Sequence, residues 1–367
     1  MQQFNFNSYY TVGSKNYLSK IEALAAANGN MNLISFHWME DTWDNIDWTV
    51  EPTQSWLELL KLRCQQLRDN YDWVAIWYSS GYDSHTILRS FVDNNILVDE
   101  ILIYDRREWF DDPEMEHAIS HANYIKNTYY PNLKINLINV TLNDLIKFYK
   151  RKKEDWIYSP YFSLKIQKTH RYFATTEMDD FLMSFKNTIG KRANVMGIDK
   201  PKVLLRDNKW YAFVPDSVGD TAFGTDQENF YWSTELPELH IKQCHMVIRW
   251  FESLSNLTED LVHDIQGRNL EKSKVYDLYY EPWNVGMGRF SLNHSHEYSR
   301  NGQIKMFHSN NERSPDGLKL LDHIKNNDNQ VFKIYTQGLL QARQFGSDTL
   351  NKTIISKQYY IKDKSAF

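Results

Sequence analysis

The stretch Trp73-Val74-Ala75-Ile76-Trp77-Tyr78-Ser79-Ser80-Gly81-Tyr82-Asp83-Ser84, followed by His85-Thr86-Ile87-Leu88-Arg89-Ser90-Phe91, decides how this chain is read. An apolar run of strand length ends in small polar residues around one glycine. Apolar spacing then resumes with Ile87, Leu88 and Phe91 on one side of a helix. The pattern is strand, short loop, helix. Backbone N–H groups in the first turn of a helix lack intrahelical acceptors and lie at the positive end of the helix dipole, so such a loop suits a phosphate. Gly81 allows close approach and positive φ, and Ser79, Ser80 and Ser84 bring hydroxyls. Asp83 is placed to hold Mg2+ on the bound phosphates. The competing reading is an ordinary strand-to-helix turn with serine caps.

Ser79-Ser80-Gly81-Tyr82-Asp83-Ser84 resembles the Ser-Gly-Gly-x-Asp-Ser fingerprint of the PP-loop ATP pyrophosphatases, of the adenine nucleotide alpha hydrolase fold. Serine replaces one glycine, a variation that the sulfonucleotide reductases of that superfamily also tolerate, and Tyr82 stands where those reductases tend to carry lysine. It is not a Walker loop, since no Gly-Lys-Ser/Thr pair occurs. The resemblance implies ATP and Mg2+ as cofactors, Ser79 to Ser84 as nucleotide-binding residues, and Asp83 and Ser84 as catalytic.

The 367 residues are 42% hydrophobic and 24% charged, with a formal net charge of −5. This describes a globular chain with ample core, of one large or two ordinary domains. No apolar run approaches the roughly 20 residues that cross a bilayer. The start, Met1-Gln2-Gln3-Phe4-Asn5, lacks a basic-then-apolar signal pattern, so a cytoplasmic location is expected. Two cysteines, Cys64 and Cys244, without a Cys-x-x-Cys, exclude a Cys-rich zinc or iron–sulfur site and the usual equipment of sulfur-transferring PP-loop enzymes. Cys64 is read as a core residue; Cys244, in Lys242-Gln243-Cys244-His245, is read as a buried structural cysteine, with a thiolate beside a histidine as the alternative.

In the first 50 residues one run, Met31 to Trp38, is strand-like, and residues 1–54 are read as a lead-in layer. Glutamine-using asparagine synthetases begin with a catalytic cysteine directly after Met1; here Gln2 stands there, so no such glutaminase supplies nitrogen. Trp56, Leu60, Cys64 and Leu67 give one apolar helix face behind Ser55. A helix leading into the loop's strand also resembles the synthetase domain of asparagine synthetase.

Val98 to Asp105 reads as a second strand, Pro113 to Tyr129 as a helix, Leu133 to Val140 as a third strand and Leu142 to Tyr149 as a helix. The alternation predicts an α/β fold: a doubly wound, mainly parallel sheet with helices on both faces, plus a mixed or helical C-terminal region. Ligands of such sheets lie across the carboxyl ends of the strands. By resemblance, Tyr104 or Asp105 meets the adenosine. Arg106 and Arg107 either reach phosphates or solvate the loop. The basic run Lys150-Arg151-Lys152-Lys153 is read as a solvated helix end, with an anion or nucleic-acid contact as the alternative.

Phe181 to Ile189 looks helical, and Ala193-Asn194-Val195-Met196 is a fourth strand running into Gly197-Ile198-Asp199-Lys200-Pro201. Gly197 and Asp199 resemble a later nucleotide-facing element of the family, and Lys200 is the candidate that neutralises departing pyrophosphate; a tight turn closed by proline is the plainer reading. Asp207-Asn208 is a two-residue hairpin loop, a natural addition at a sheet edge. The nucleotide-binding domain is placed at residues 55–216 and a C-terminal substrate region at 217–367.

Leu236-Pro237-Glu238-Leu239 lead into an expected helix running through His240, Gln243, Val247 and Trp250 to Leu254; the Pro-Glu-Leu and Lys-Gln-x-His arrangement resembles phage-type PP-loop proteins described as sulfate-reductase-like. The Glu-Cys-Gly-x-His segment with which those reductases close their reaction is absent. His294-Ser295-His296 has no third metal ligand at a useful spacing, and Gly286-Met287-Gly288 reads as a turn. From Arg300 to Phe367 eleven Lys or Arg stand against six Asp or Glu, which suits an anionic partner such as tRNA or DNA. The function expected is AMP-forming ATP pyrophosphatase chemistry of the ligase or transferase type on a small-molecule or nucleic-acid acceptor. The alternatives are a sulfonucleotide enzyme or binder and a non-catalytic nucleotide- or nucleic-acid-binding module.

Overall fold

The computed structural model describes residues 8–105, 107–108, 113–139, 141–158, 190–197, 201–216, 227–267, 315–346, 349–350 and 352–365. Arg106, the 181–189 helix, Asp199, Lys200, Gly286 to Gly288, His294 and His296 lie outside the described residues. Among the described residues no helix is long and apolar enough to cross a membrane.

Strands β1 (Ser8–Val12), β2 (Lys15–Tyr17) and β3 (Ile34–Trp38) form an antiparallel sheet in the order β2-β1-β3, with helix α1 (Lys20–Ala26) between its second and third strands. Only β3 was visible as a periodic run. β1 and β2 are short and rest on pairing with each other, around a turn in which Gly13 takes φ +60°. After α2 (Glu40–Trp43) comes α3 (Trp56–Asn70), whose start is closed reciprocally: Glu58 N–H donates to Ser55 Oγ at 3.3 Å and Ser55 N–H to Glu58 Oε2 at 2.7 Å. Its buried stripe includes Trp56, Leu60, Cys64 and Leu67.

The centre is a five-stranded parallel sheet flanked by helices, a doubly wound α/β architecture. In chain order its parts are β4 (Trp73–Trp77), α4 (Tyr82–Asp93), β5 (Glu100–Asp105), α5 (Pro113–Thr128), β6 (Lys134–Asn139), α6 (Leu142–Lys152) and β7 (Arg192–Met196). The fifth strand comes from later in the chain. Strands β8 (Lys202–Arg206), β9 (Lys209–Phe213) and β10 (Gln227–Asn229) follow, and β10 pairs with β7. The spatial order is β10-β7-β4-β5-β6, every neighbouring pair being parallel. The order runs outward from β4 in one direction through β5 and β6, then reverses to β7. This reversal makes the carboxyl end of β4, beside β7, the switch point where open α/β sheets form their ligand crevice.

Both faces of the central strands are buried, as their unbroken apolar runs require. Val74, Ile76, Tyr78, Ile101, Ile103, Ala193 and Val195 belong to the main core with α3, α4 and α5. On the opposite face Ala75, Trp77 and Leu102 make a smaller cluster, against which Trp73, Tyr104, Ile138 and Met196 pack. At the amino end of that face, Arg192 Nη1 lies 2.8 Å from Glu100 Oε2, both side chains buried; Trp73 Nε1–H and the Asn136 amide also donate to Glu100.

The β8–β9 hairpin corrects one expectation. Its turn is as read, Asp207 and Asn208 taking φ of 52° and 57°, the paired left-handed conformation that matches strand twist. However, it does not extend the parallel sheet: it forms a separate antiparallel sheet in the order β11-β9-β8, with β11 at Tyr359–Asp363. Helices at Pro237–Glu252, Glu259–Gly267, Pro315–Asn327 and Asn329–Arg343 complete the described chain. Cys64 and Cys244 are both buried free thiols, and burial pushes both pKa values up, which keeps them protonated.

Candidate nucleotide-binding site

The loop after β4 is built from its own side chains. Tyr78 N–H donates to the Leu102 carbonyl at 2.9 Å, carrying the sheet ladder one residue beyond β4. The chain then turns. Ser80 takes φ +59°, while Gly81 is the residue that precedes α4, with φ −68° and ψ 164°. The left-handed residue is therefore the serine, not the glycine to which positive φ was ascribed from the sequence. His85 N–H donates to the Gly81 carbonyl at 2.9 Å and closes the first turn of α4.

Ser84 and Ser79 brace the turn from within. The Ser79 amide donates to Ser84 Oγ at 3.2 Å, and Ser84 Oγ donates to the Gly81 carbonyl at 3.2 Å. With its single proton so committed, Ser84 accepts from Ser79 Oγ, also at 3.2 Å. The Gly81 amide points at Ser79 Oγ at 3.4 Å. The result is a narrow turn of small residues opening onto a helix N-terminus. Tyr82 and Asp83 are the first two residues of that helix.

Gly197, which follows β7, lies against this turn. A Cβ built on it would stand 2.9 Å from Ile87 Cδ1 and 3.1 Å from both the Asp83 carbonyl carbon and the Ser84 amide nitrogen. A side chain at this position would press on that backbone, so the ends of β4 and β7 meet closely at the switch point. Ser79 to Ser84 and Gly197 thus come together.

Tyr104 and Asp105 lie at the end of the neighbouring β5 and face opposite sides of the sheet. The Tyr104 ring stacks on Trp77, centroids 4.4 Å apart and planes at 15°. Asp105 is taken up by Arg107, with Nη2 to Oδ2 at 2.7 Å and Nε to Oδ1 at 3.0 Å; these bonds hold its carboxyl below the usual range. Arg107 also reaches Glu116 at 2.8 Å. Of the two readings open for Arg107, this geometry is that of a cation bound to carboxylates at the loop surface.

Two features had no signal in the sequence. The hydroxyl of Tyr231, buried and just after β10, donates to the Asp83 carbonyl at 2.9 Å. Burial, and then the Asp83 charge, push its pKa well up, so it stays a donor. The second is a cluster beneath the loop. Tyr78 Oη lies 3.1 Å from His85 Nδ1 and 2.8 Å from His121 Nδ1, and the two imidazole centroids are 4.8 Å apart. Burial, helped by neighbouring positive groups, lowers His85 to about 3 and His121 to about 4.

The donor set fits Mg2+ only in one manner. Among the described residues no group of three or more His, Cys, Asp or Glu could hold a metal ion. Asp83 is the carboxylate of the loop, and one carboxylate together with substrate phosphates is how Mg2+ is commonly held, rather than in an all-protein cage.

No family model and no curated protein sequence matches the chain. Among solved structures it is similar to an NH3-dependent NAD synthetase from Campylobacter jejuni subsp. jejuni NCTC 11168 in complex with the nitrate ion, with 13% sequence identity and a TM-score of 0.34, over 80% of this chain and 97% of that one.

Proposed function

We propose that the chain is an AMP-forming ATP pyrophosphatase that adenylates a substrate oxygen for displacement by a nitrogen nucleophile. One observation carries this reading: a tight turn of small polar residues opens onto the N-terminus of α4 at the switch point of a parallel sheet, with the Gly197 backbone packed against it. The fingerprint Ser79-Ser80-Gly81-Tyr82-Asp83-Ser84 occupies that turn.

In this reading the first-turn amides of α4 take the phosphate chain, Ser79 and Ser84 brace the turn that presents them, and Asp83 holds Mg2+ through the phosphates. When bound, the ion neutralises phosphate charge and polarises the phosphoryl oxygens. The acceptor oxygen attacks the α-phosphorus, pyrophosphate leaves, and an adenylated acceptor remains; nitrogen attack on the acceptor then expels AMP. The protein contributes positioning and fixed charge. By the family resemblance, Asp199 is a candidate for the nucleotide and Lys200 for neutralising the departing pyrophosphate. Tyr104 and Asp105 border the adenosine side.

The test is incubation of the purified chain with Mg2+ and α-labelled ATP, with and without a small-molecule and tRNA extract, separating AMP from ADP. The reading expects AMP with pyrophosphate, stimulated by one fraction of the extract and abolished by Asp83→Ala. ADP as product, or no turnover with any fraction, overturns it; tight binding of a 3′-phosphorylated sulfonucleotide without turnover would favour a sulfonucleotide binder.

A further inference from the structure

We propose that Tyr78 is a positioning residue for the phosphate-binding turn: its hydroxyl holds His85 of α4 and His121 of α5 in complementary tautomers, and so fixes the first turn of α4. The functional part of this inference rests on the nucleotide-binding reading above. The tautomer part rests on geometry alone.

Tyr78 is anchored at both ends. Its backbone is tied to β5 through the Leu102 carbonyl, and its ring is buried in the main core. At the far end one oxygen faces two Nδ1 atoms, at 3.1 Å on His85 and 2.8 Å on His121. A phenol has one proton to donate, and a neutral imidazole has one N–H and one lone pair. Both contacts are hydrogen bonds, and the phenol proton also has an acceptor, only if one Nδ1 accepts the tyrosine proton and the other Nδ1 carries a proton and donates it to the phenol oxygen. The rings are then opposite tautomers by necessity. Two bare Nδ1 atoms would leave one buried contact unmade, and two protonated ones would leave the buried phenol proton without an acceptor; either arrangement costs free energy.

The consequence falls on the turn. His85 is the residue whose amide closes the first turn of α4 on Gly81, one position after Ser84. Holding its ring from β4 and from α5 sets the rotation of that turn, and with it the direction of the amides that receive phosphate. The charged and aromatic neighbours are consistent with a neutral pair: Arg89 on α4 and His117 on α5 act on the two rings, and Tyr124 packs 5.9 Å from His121.

The experiment uses the full chain labelled with 15N in histidine, with two-bond proton–nitrogen correlations recorded near neutral pH and assigned with His85→Gln and His121→Gln. The expected result is one Nδ1–H ring and one Nε2–H ring in the native chain, with the complementarity lost in Tyr78→Phe. Amides of Ser79 to His85 should then exchange at least about tenfold faster in Tyr78→Phe, which loses both hydrogen bonds of the phenol oxygen, and ATP should bind about tenfold more weakly. Matching tautomers in the native chain overturn the proposal, as does Tyr78→Phe with unchanged loop exchange. A native chain that binds no ATP removes the functional reading while the tautomers and exchange rates still decide the role of Tyr78. A filler role alone would survive Tyr78→Phe with none of these signals moving.

Discussion

The Tyr231 hydroxyl and the Asp83 carbonyl are joined by a 2.9 Å hydrogen bond across 148 positions of sequence. A ring that follows β10 therefore fixes the backbone of the loop's carboxylate. Tyr231→Phe keeps the stacking on Trp56 and removes the hydroxyl, which donates to Asp83 and also hydrogen-bonds the Thr86 side chain. It should lower stability by about 1 kcal/mol, read as a reduced urea midpoint, and weaken ATP binding more than a Phe substitution at Tyr360 on the exposed face of β11. Equal effects at the two positions would remove Tyr231 from the site.

Ser80 is an L residue in the left-handed region, where glycine is at home. Such a conformation costs of order 1–2 kcal/mol, offset in a Ser80→Gly variant by the extra freedom of glycine when unfolded. Ser80→Gly should therefore raise stability by up to about 1 kcal/mol, and Ser80→Val should lower it by more. Thermal unfolding of the two variants beside the native chain decides the sign.

Gly197→Ala should act on the loop from the other side. Its new methyl group meets the Asp83 and Ser84 backbone at 3.1 Å, and backbone, unlike the end of a flexible side chain, has little room to yield. Overpacking of this kind costs about 1–3 kcal/mol. Nucleotide affinity should fall with stability, measured by titration calorimetry and urea unfolding, whereas a relaxed variant with native affinity would show that β7 does not support the turn.

Acid should destabilise the chain before its carboxylates titrate. Burial lowers His121 to about 4 and His240 to about 3 in the folded state, against about 6.5 when unfolded. Between those values the unfolded chain binds more protons, so stability falls as pH falls, by up to about 1.4 kcal/mol per pH unit for each histidine. Urea midpoints at steps from pH 7 to pH 5 should decline, and His121→Gln should flatten the slope. A midpoint independent of pH in this window contradicts buried neutral histidines.

Much of the fold was legible because its signals are local. The unbroken run Trp73–Trp77 declared a buried strand, Ser55 ahead of an apolar stripe declared a helix start, and Asp207-Asn208 declared a tight turn. Other parts exist only through distant partners. β10 is three polar residues, Gln-Glu-Asn, whose strand character comes from pairing with β7; β1 and β11 likewise depend on their neighbours. The site divides in the same way. Its motif is contiguous, but Tyr231 and His121 reach it from other elements, and no periodicity marks a side chain that serves a loop elsewhere. The choice between Ser80 and Gly81 for the left-handed position was also beyond reach, since both orders satisfy the same spacing.

The strand order sets a burden on biosynthesis. β4 leaves the ribosome early and finds β5 soon after, yet its other edge waits for residues 192–196, and β7 in turn waits for 227–229. Until then the most apolar strand of the protein presents unpaired N–H and C=O groups along one side, a template for association with other chains. A fragment ending soon after α6 would carry the whole phosphate-loop motif and still be an aggregation hazard. Expression of the parallel-sheet portion thus requires chain through Tyr231, and a folding helper that shields nascent edges should raise the soluble yield of the intact protein.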